Sequence, residues 1–197
     1  MTTEMCVYCF DVLIDRFENK GNVRIPSCIL DNDKEYPLFV TWDLEDQYSG
    51  TYDLRGCIGC LSPLPLHKIG EYAITSAMRD RRFNPIELDE ISRLRCSVSL
   101  LTDYEYNKQW NDWVVGTHGI IIDFLVGGTK YNATYLPQVA TEQQWNKKEA
   151  VLSLIRKAGY RGKVDNDIML SIELTRYQSS KAYCTYEDYV NQKIESK

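Results

Sequence analysis

The chain has 197 residues, with 23 Lys or Arg and 28 Asp or Glu, so its net charge at pH 7 is −5. Hydrophobic residues make up 44% of the sequence, which excludes a disordered chain, and the acidic balance argues against nucleic-acid binding. No segment approaches the roughly 18 apolar residues of a membrane helix, and the first residues lack the pattern of a secretory signal, so we expect no membrane association.

The first half of the chain predicts two helices separated by two strands. Apolar residues from Met5 to Phe17 recur at the spacing of an amphipathic helix, and an irregular connection is expected over 22–35. Aromatic and β-branched residues predict strands over 36–44 and 54–61. The prolines of segment 62–65 then mark the start of a helix, whose apolar face begins at Leu66.

The second half adds strands, a hairpin and two helices. Alternation predicts a strand over 92–102, followed by a polar connection over 103–112. A hairpin is expected from 119–126 and 129–135, joined by Gly127 and Gly128. A capping box from Asn146 to Glu149 begins a helix, which ends before Gly159. A strand over 168–174 and a short helix over 186–193 complete the prediction.

These elements predict an α+β fold, because helices and strands are interspersed without a regular βαβ repeat. We expect mixed but largely antiparallel sheets with flanking helices, in one compact chain with two lobes.

Seven cysteines, an odd number, indicate reduced thiols and a cytoplasmic or nuclear location. Two Cys-x-x-Cys pairs, Cys6 with Cys9 and Cys57 with Cys60, raise two alternatives. One is a four-cysteine zinc site. The other, which we favour because Cys6 and Cys9 fall inside an amphipathic helix, is that these thiols pack in the core. A Cys57–Cys60 redox pair is disfavoured because odd spacing on a strand puts the sulfurs on opposite faces. No metal ion and no cofactor are expected.

The strongest candidate for chemistry is the strand segment Arg55-Gly56-Cys57-Ile58-Gly59. On a regular strand, Arg55 and Cys57 share a face, and a nearby guanidinium favours the reactive thiolate. Gly56 and Gly59 mark places where a backbone or a ligand comes close. The alternative is an inert buried cysteine in a tightly packed strand.

Three further segments carry polar candidates. His118, between glycines in Gly116-Thr117-His118-Gly119, is either the base that partners Cys57 or a surface residue of a turn. Arg82, in the segment Asp80-Arg81-Arg82-Phe83, either binds an anion as a planar fork or complements a helix dipole. Gln138 either contacts a ligand or caps a turn.

These segments, with Val98-Ser99-Leu100-Leu101 and Leu136-Pro137-Gln138-Val139, resemble in their order the AMMECR family, and the opening Glu4-Met5-Cys6-Val7-Tyr8 resembles its eukaryotic branch. The resemblance implies a single α+β domain over residues 4–190 with two lobes, followed by a tail over 191–197. It implies no established reaction. Some prokaryotic members are associated with a Memo-like protein, which is therefore the expected protein partner.

Together the residues and the resemblance favour a cysteine-centred enzymatic or small-molecule site. Cys57 would be the nucleophile and His118 the base, with Gly56, Gly59 and Gln138 lining the site. Arg55 and Arg82 would bind a small anionic substrate. The alternative is a non-catalytic adaptor that binds a protein partner through aromatic residues, namely Trp42, Trp110 and Trp113.

Overall fold

The computed structural model describes residues 3–195 and confirms the α+β fold. The helices are α1 (Glu4–Glu18), α2 (Ser27–Leu30), α3 (Ile69–Met78), α4 (Pro137–Glu142), α5 (Lys147–Lys157), α6 (Asn166–Ser171) and α7 (Tyr186–Glu195). The strands are β1 (Glu35–Glu45), β2 (Tyr52–Pro65), β3 (Leu94–Lys108), β4 (Gly119–Val126), β5 (Thr129–Tyr135) and β6 (Glu173–Thr185). Short 3₁₀ helices cover Leu66–Lys68 and Leu88–Arg93. No helix within the described residues is long and apolar enough to span a membrane.

The strands form one sheet in the order β2-β1-β3-β6-β4-β5. The pairings of β1 with β2 and β3, and of β4 with β5 and β6, are antiparallel. The strand β2 therefore lies at an edge of the sheet. The chain divides into two compact units, unit 1 with residues Met1–Leu100 and Ser180–Lys197, and unit 2 with residues Leu101–Ser179.

The core of unit 1 lies between its strands and the helices α1 and α3. Trp42 of β1 is fully buried and donates a hydrogen bond of 2.9 Å from Nε1 to the Ala73 carbonyl in α3. Its ring meets Phe10 of α1 edge-on, with the ring centroids 5.1 Å apart. An aromatic ring of this size whose polar hydrogen is satisfied ties the sheet to both helices.

Four cysteines also lie in this core. Cys6 and Cys9 of α1, Cys96 of β3 and Cys184 of β6 are all fully buried. Burial raises the pKa of Cys96 well above its usual value, and the neighbouring thiols of Cys6 and Cys9 raise it further. Burial raises the pKa of Cys184 to about 12. Within residues 3–195, none of the seven cysteines takes part in a disulfide.

The core of unit 2 lies between the β4–β5 hairpin and the helix α5. The turn between the strands places both Gly127 and Gly128 at positive φ, 56° and 81°, as the predicted hairpin requires. The capping box is also confirmed, because Asn146 and Glu149 each accept the other's backbone N–H. The glycine turn therefore joins β4 to β5 as predicted, and the capping box begins α5.

Three predicted boundaries are wrong. β2 continues through Pro63 and Pro65, which an edge strand tolerates because its outer N–H groups need no partner strand. β3 continues to Lys108 through the expected polar connection. Residues 166–171 form α6 instead of a strand, because the Asp165 side chain caps the helix by accepting the Ile168 N–H. In addition, the helix α7 extends over 191–195 of the expected tail, whose last two residues lie outside the described residues.

We predict that Gly56→Ala destabilises the protein by about 3 kcal/mol, the upper end of the usual cost of overpacking. A Cβ at Gly56 would overlap the backbone carbonyl oxygen of Ser76 in α3, which cannot rotate away as a side chain could. Urea unfolding followed by tryptophan fluorescence measures the change. Leu54→Ala, at an exposed position of the same strand, is the control and should cost much less. Equal stability of the two variants would contradict the close approach of α3.

Candidate functional site

The backbone of Cys57 is held by two side chains that follow α3. The Cys57 N–H donates to Asp80 Oδ2 at 2.9 Å, and the Cys57 carbonyl accepts from Arg82 Nη2 at 3.1 Å. Arg82 also binds the Asp80 carboxylate through Nε and Nη2, at 3.0 and 2.6 Å. We call this arrangement the Asp80–Arg82 clamp. It supplies at the edge of β2 the donor and the acceptor that a neighbouring strand would otherwise provide.

Local sequence explains how the clamp forms. Asp80 lies two residues beyond the end of α3, and its Oδ1 accepts the backbone N–H of Arg82 at 3.2 Å, which is the geometry of an Asx turn. The turn brings the Arg82 guanidinium back onto the carboxylate. Hydrogen bonds from Arg82, with a smaller contribution from the Cys57 N–H, hold the pKa of Asp80 well below its usual range despite burial. The paired charges therefore persist at neutral pH.

The Cys57 side chain faces the neighbouring strand β1. Thr41 pairs directly with Cys57, and its Oγ1 donates to Cys57 Sγ at 3.1 Å. A hydroxyl that donates to sulfur stabilises the negative charge that a thiol carries when it acts as a nucleophile. Cys60 instead lies near Tyr72 of α3, whose pKa is raised by burial and then by this thiol. The two thiols of the Cys-x-x-Cys pair thus lie beside different elements.

Arg55 makes a different set of contacts from those expected. Between Trp42 and Asp43 the register of β1 with β2 shifts, which makes Arg55 the extra residue of a bulge. A bulge interrupts the regular alternation of faces and redirects a side chain. Arg55 binds Glu90 with two hydrogen bonds, at 2.8 and 2.9 Å, and donates to the carbonyls of Asn84 and Pro85. Arg82 is the arginine whose bonds reach Cys57.

The two glycines beside Cys57 accommodate protein groups. The backbone of α3 approaches Gly56 at Ser76, and the Phe39 ring lies against Gly59. The close approach predicted from these glycines is therefore present, and protein atoms make it. Their expected role in lining a substrate site stays a prediction.

His118 lies in unit 2, in the turn before β4. Its Nδ1 accepts the Val114 N–H at 2.9 Å, so the neutral ring carries its proton on Nε2. Burial lowers the pKa of His118, and the positive charge of Arg176 lowers it further. A neutral imidazole with Nε2 protonated donates a hydrogen bond from that atom. Nδ1 is already engaged by the Val114 N–H, and the role of His118 as a general base stays a prediction.

The remaining candidates are placed as follows. Gln138 is exposed in the first turn of α4, in unit 2. Cys57 belongs to unit 1 and His118 to unit 2, and their predicted approach stays a prediction. Within residues 3–195, no group of three or more His, Cys, Asp or Glu side chains is arranged to hold a metal ion.

The aromatic surface expected for an adaptor is not formed by the residues proposed for it. Trp42 and Trp113 are buried, at 0% and 2% exposure, and each donates its Nε1 hydrogen to a backbone carbonyl. Trp110 is half-buried against the core of unit 2. Two of the three tryptophans therefore stabilise cores and are unavailable to a partner.

Sequence reasoning missed two residues of the site. Thr41 could not be found, because only the register of β1 against β2 brings it to Cys57. Asp80 carried a usable signal, since an aspartate just after a helix commonly turns the chain by accepting the N–H two residues on. Neither residue shows its contact with Cys57 in the spacing of the sequence.

Comparisons with known proteins give one family model and several relatives. A family model described as AMMECR1 matches residues 6–182. An uncharacterised protein of Arabidopsis thaliana is 45% identical over 191 residues, covering 95% of this chain and 87% of its own. An uncharacterised protein of Schizosaccharomyces pombe is 39% identical over 189 residues, covering 95% of each. The crystal structure of an uncharacterised protein from Pyrococcus horikoshii matches with a TM-score of 0.65 and 25% identity, covering 91% of this chain and 89% of that one.

We predict that Asp80→Asn lowers the free energy of unfolding at pH 7 by about 2 kcal/mol, the scale of hydrogen bonds to a charged group. Because folding lowers the pKa of Asp80, its stabilisation is complete above the unfolded pKa of about 3.9. It is lost as the pH falls below that value. The difference between wild type and variant should therefore shrink below about pH 4. Urea titrations across pH measure it, and Asp53→Asn, an exposed carboxylate of β2, should show no such pattern.

We also predict that His118 titrates below its usual value of 6.5 and keeps Nδ1 unprotonated above that transition. Protonation of Nδ1 removes the acceptor for the Val114 N–H. The stabilisation from this group is therefore present at neutral pH and lost as the pH falls. Long-range ¹H–¹⁵N NMR of the imidazole ring measures both properties, and His67→Gln assigns the signals. An Nδ1-protonated neutral ring would contradict the predicted donor role.

Proposed function

Because this chain belongs to the AMMECR1 family, whose relatives given above are uncharacterised, we propose its activity from the geometry around Cys57. We propose that Cys57 is the nucleophile of a group-transfer site for a small anionic acyl substrate. Two features of Cys57 support this proposal. The Asp80–Arg82 clamp fixes its backbone, and its sulfur accepts a hydrogen bond from the Thr41 hydroxyl.

The arginine of the clamp is suited to binding the anion. The Arg82 side chain is 55% exposed, so an anion from solvent can reach the guanidinium. The Asp80 carboxylate orients the guanidinium plane by two hydrogen bonds. A planar, oriented guanidinium is the common protein group for binding carboxylate and phosphate. Arg55 is only 15% exposed and paired with Glu90, so Arg82 is the better candidate of the two.

The chemical step follows the usual course of thiol catalysis. The Cys57 thiol gives its proton to solvent, and the thiolate sulfur forms a bond to the carbonyl carbon of the substrate while the bond from that carbon to the leaving group breaks. The leaving group departs with the electron pair and takes up a proton from solvent. Transfer of the acyl group from the resulting thioester to water or an amine restores the thiol. Thr41 stabilises the charged sulfur before the attack.

The resemblance adds a Memo-like protein as the expected partner.

We predict that Cys57 is alkylated faster by iodoacetamide at pH 7 than Cys28 or Cys60, the other partly exposed thiols. Thr41→Val should slow this labelling roughly five-fold, the effect of losing about one hydrogen bond. Peptide mass spectrometry of the folded protein measures each rate, and Thr102→Val, on β3, is the matched control. Labelling of Cys57 only after denaturation would identify it as an inert core thiol.

The anion site has its own test. Iodoacetate carries a negative charge and iodoacetamide does not, so the ratio of their rates at Cys57 reports the charge near the sulfur. Arg82→Gln should lower this ratio several-fold, whereas Arg82→Lys should keep most of it because the charge remains. Arg81→Gln, at the exposed neighbouring position, is the control. A ratio that does not change in Arg82→Gln would exclude Arg82 as the anion-binding residue.

A further inference from the structure

A row of three polar side chains crosses unit 1 from the edge of the sheet inward. Thr41 of β1 pairs with Cys57 of β2 on one side and with Ser97 of β3 on the other. Residues directly opposite one another in antiparallel strands point to the same face. Cys57, Thr41 and Ser97 therefore form a cross-strand row on the face opposite Trp42 and α3.

The inner end of this row has an unsatisfied polar atom. Ser97 is only 1% exposed, and its Oγ has no hydrogen-bond partner among residues 3–195. A buried hydroxyl without a partner is destabilising and uncommon in native proteins. Cys57 and Thr41 are half-buried, so accessibility decreases along the row from the strand edge to Ser97. The row therefore has a partly exposed thiol, Cys57, at its outer end and an unpaired hydroxyl, Ser97, at its inner end.

The two sides of the row restrict what can bind there. On one side Phe39 lies against Gly59. On the other side Asp43, which is 8% exposed, is paired with Arg95 at 3.0 Å. The buried Asp43 carboxylate disfavours an anion bound at the Ser97 end of the row. A cation is disfavoured there as well, because Arg95 already neutralises Asp43. An uncharged group that both donates and accepts hydrogen bonds is complementary to the Ser97 hydroxyl.

We infer that the cross-strand row is a specificity subsite. The reactive carbon of the substrate meets Cys57, and Ser97 binds an uncharged carboxamide or hydroxyl at one end of the same substrate. This inference rests on the proposed function of Cys57 and narrows its substrate class. The substrate would be elongated, with its anionic group at Arg82 and its uncharged polar end at Ser97. Two strand spacings separate Cys57 from Ser97, which is roughly 10 Å.

Matched alkylating probes test the inference. N-iodoacetyl-glycinamide, bound to Cys57 through its methylene carbon, places its terminal amide nitrogen roughly 7 Å from the sulfur. A hydrogen bond of about 3 Å then reaches Ser97. N-isobutyl iodoacetamide has nearly the same shape and reactivity but an apolar end. The measurement is the ratio of the two labelling rates at Cys57, divided by the same ratio at Cys60 in the same sample.

We expect wild-type protein to favour the glycinamide probe about five-fold, the effect of one net hydrogen bond. Ser97→Ala should abolish this preference and leave the melting temperature unchanged or higher, because it removes an unpaired buried hydroxyl. Ser99→Ala, on the same strand and opposite Phe39, should keep the preference. If Cys57 is labelled readily but Ser97→Ala changes nothing, the subsite is overturned and the proposed function stands. If Cys57 is not labelled in the folded protein, both are overturned.

Discussion

The buried carboxylate of Asp80 is the constraint on which the geometry around Cys57 depends. A charge in this position requires partners, and it has three, which are the Cys57 N–H, the Arg82 N–H and the Arg82 guanidinium. One side chain thus joins the end of α3 to the edge strand. The helix α3 also approaches β2 closely at Gly56, so two contacts on neighbouring residues of β2 fix the strand against the end of this helix.

The sequence predicted those elements whose signals are local. The helix α1, the Gly127–Gly128 hairpin and the capping box of α5 each depend on a few neighbouring residues. The errors arose where distant contacts decide the outcome. The edge position of β2 lets Pro63 remain within a strand, and a side-chain cap from Asp165 makes residues 166–171 helical although their apolar residues alternate.

The same distinction applies to the site. The glycines beside Cys57 correctly predicted that other groups pack closely against this strand. The sequence predicted Arg55 beside Cys57, whereas a bulge redirects Arg55 to Glu90 and a turn brings Arg82 to the Cys57 carbonyl. Bulges and register are properties of paired strands. No spacing within one strand encodes them, so Thr41 and Ser97 could be associated with Cys57 only after the sheet was known.

The four buried cysteines of unit 1 have a practical consequence for handling the protein. Folding keeps Cys6, Cys9, Cys96 and Cys184 away from solvent, and the raised pKa of Cys184 disfavours its thiolate. Unfolding removes both protections at once and exposes the thiols to exchange and oxidation. Thermal denaturation in air should therefore become irreversible and dependent on the heating rate. Under strong reductant the same transition should reverse, so the redox state of the buffer determines whether an equilibrium stability exists for this protein.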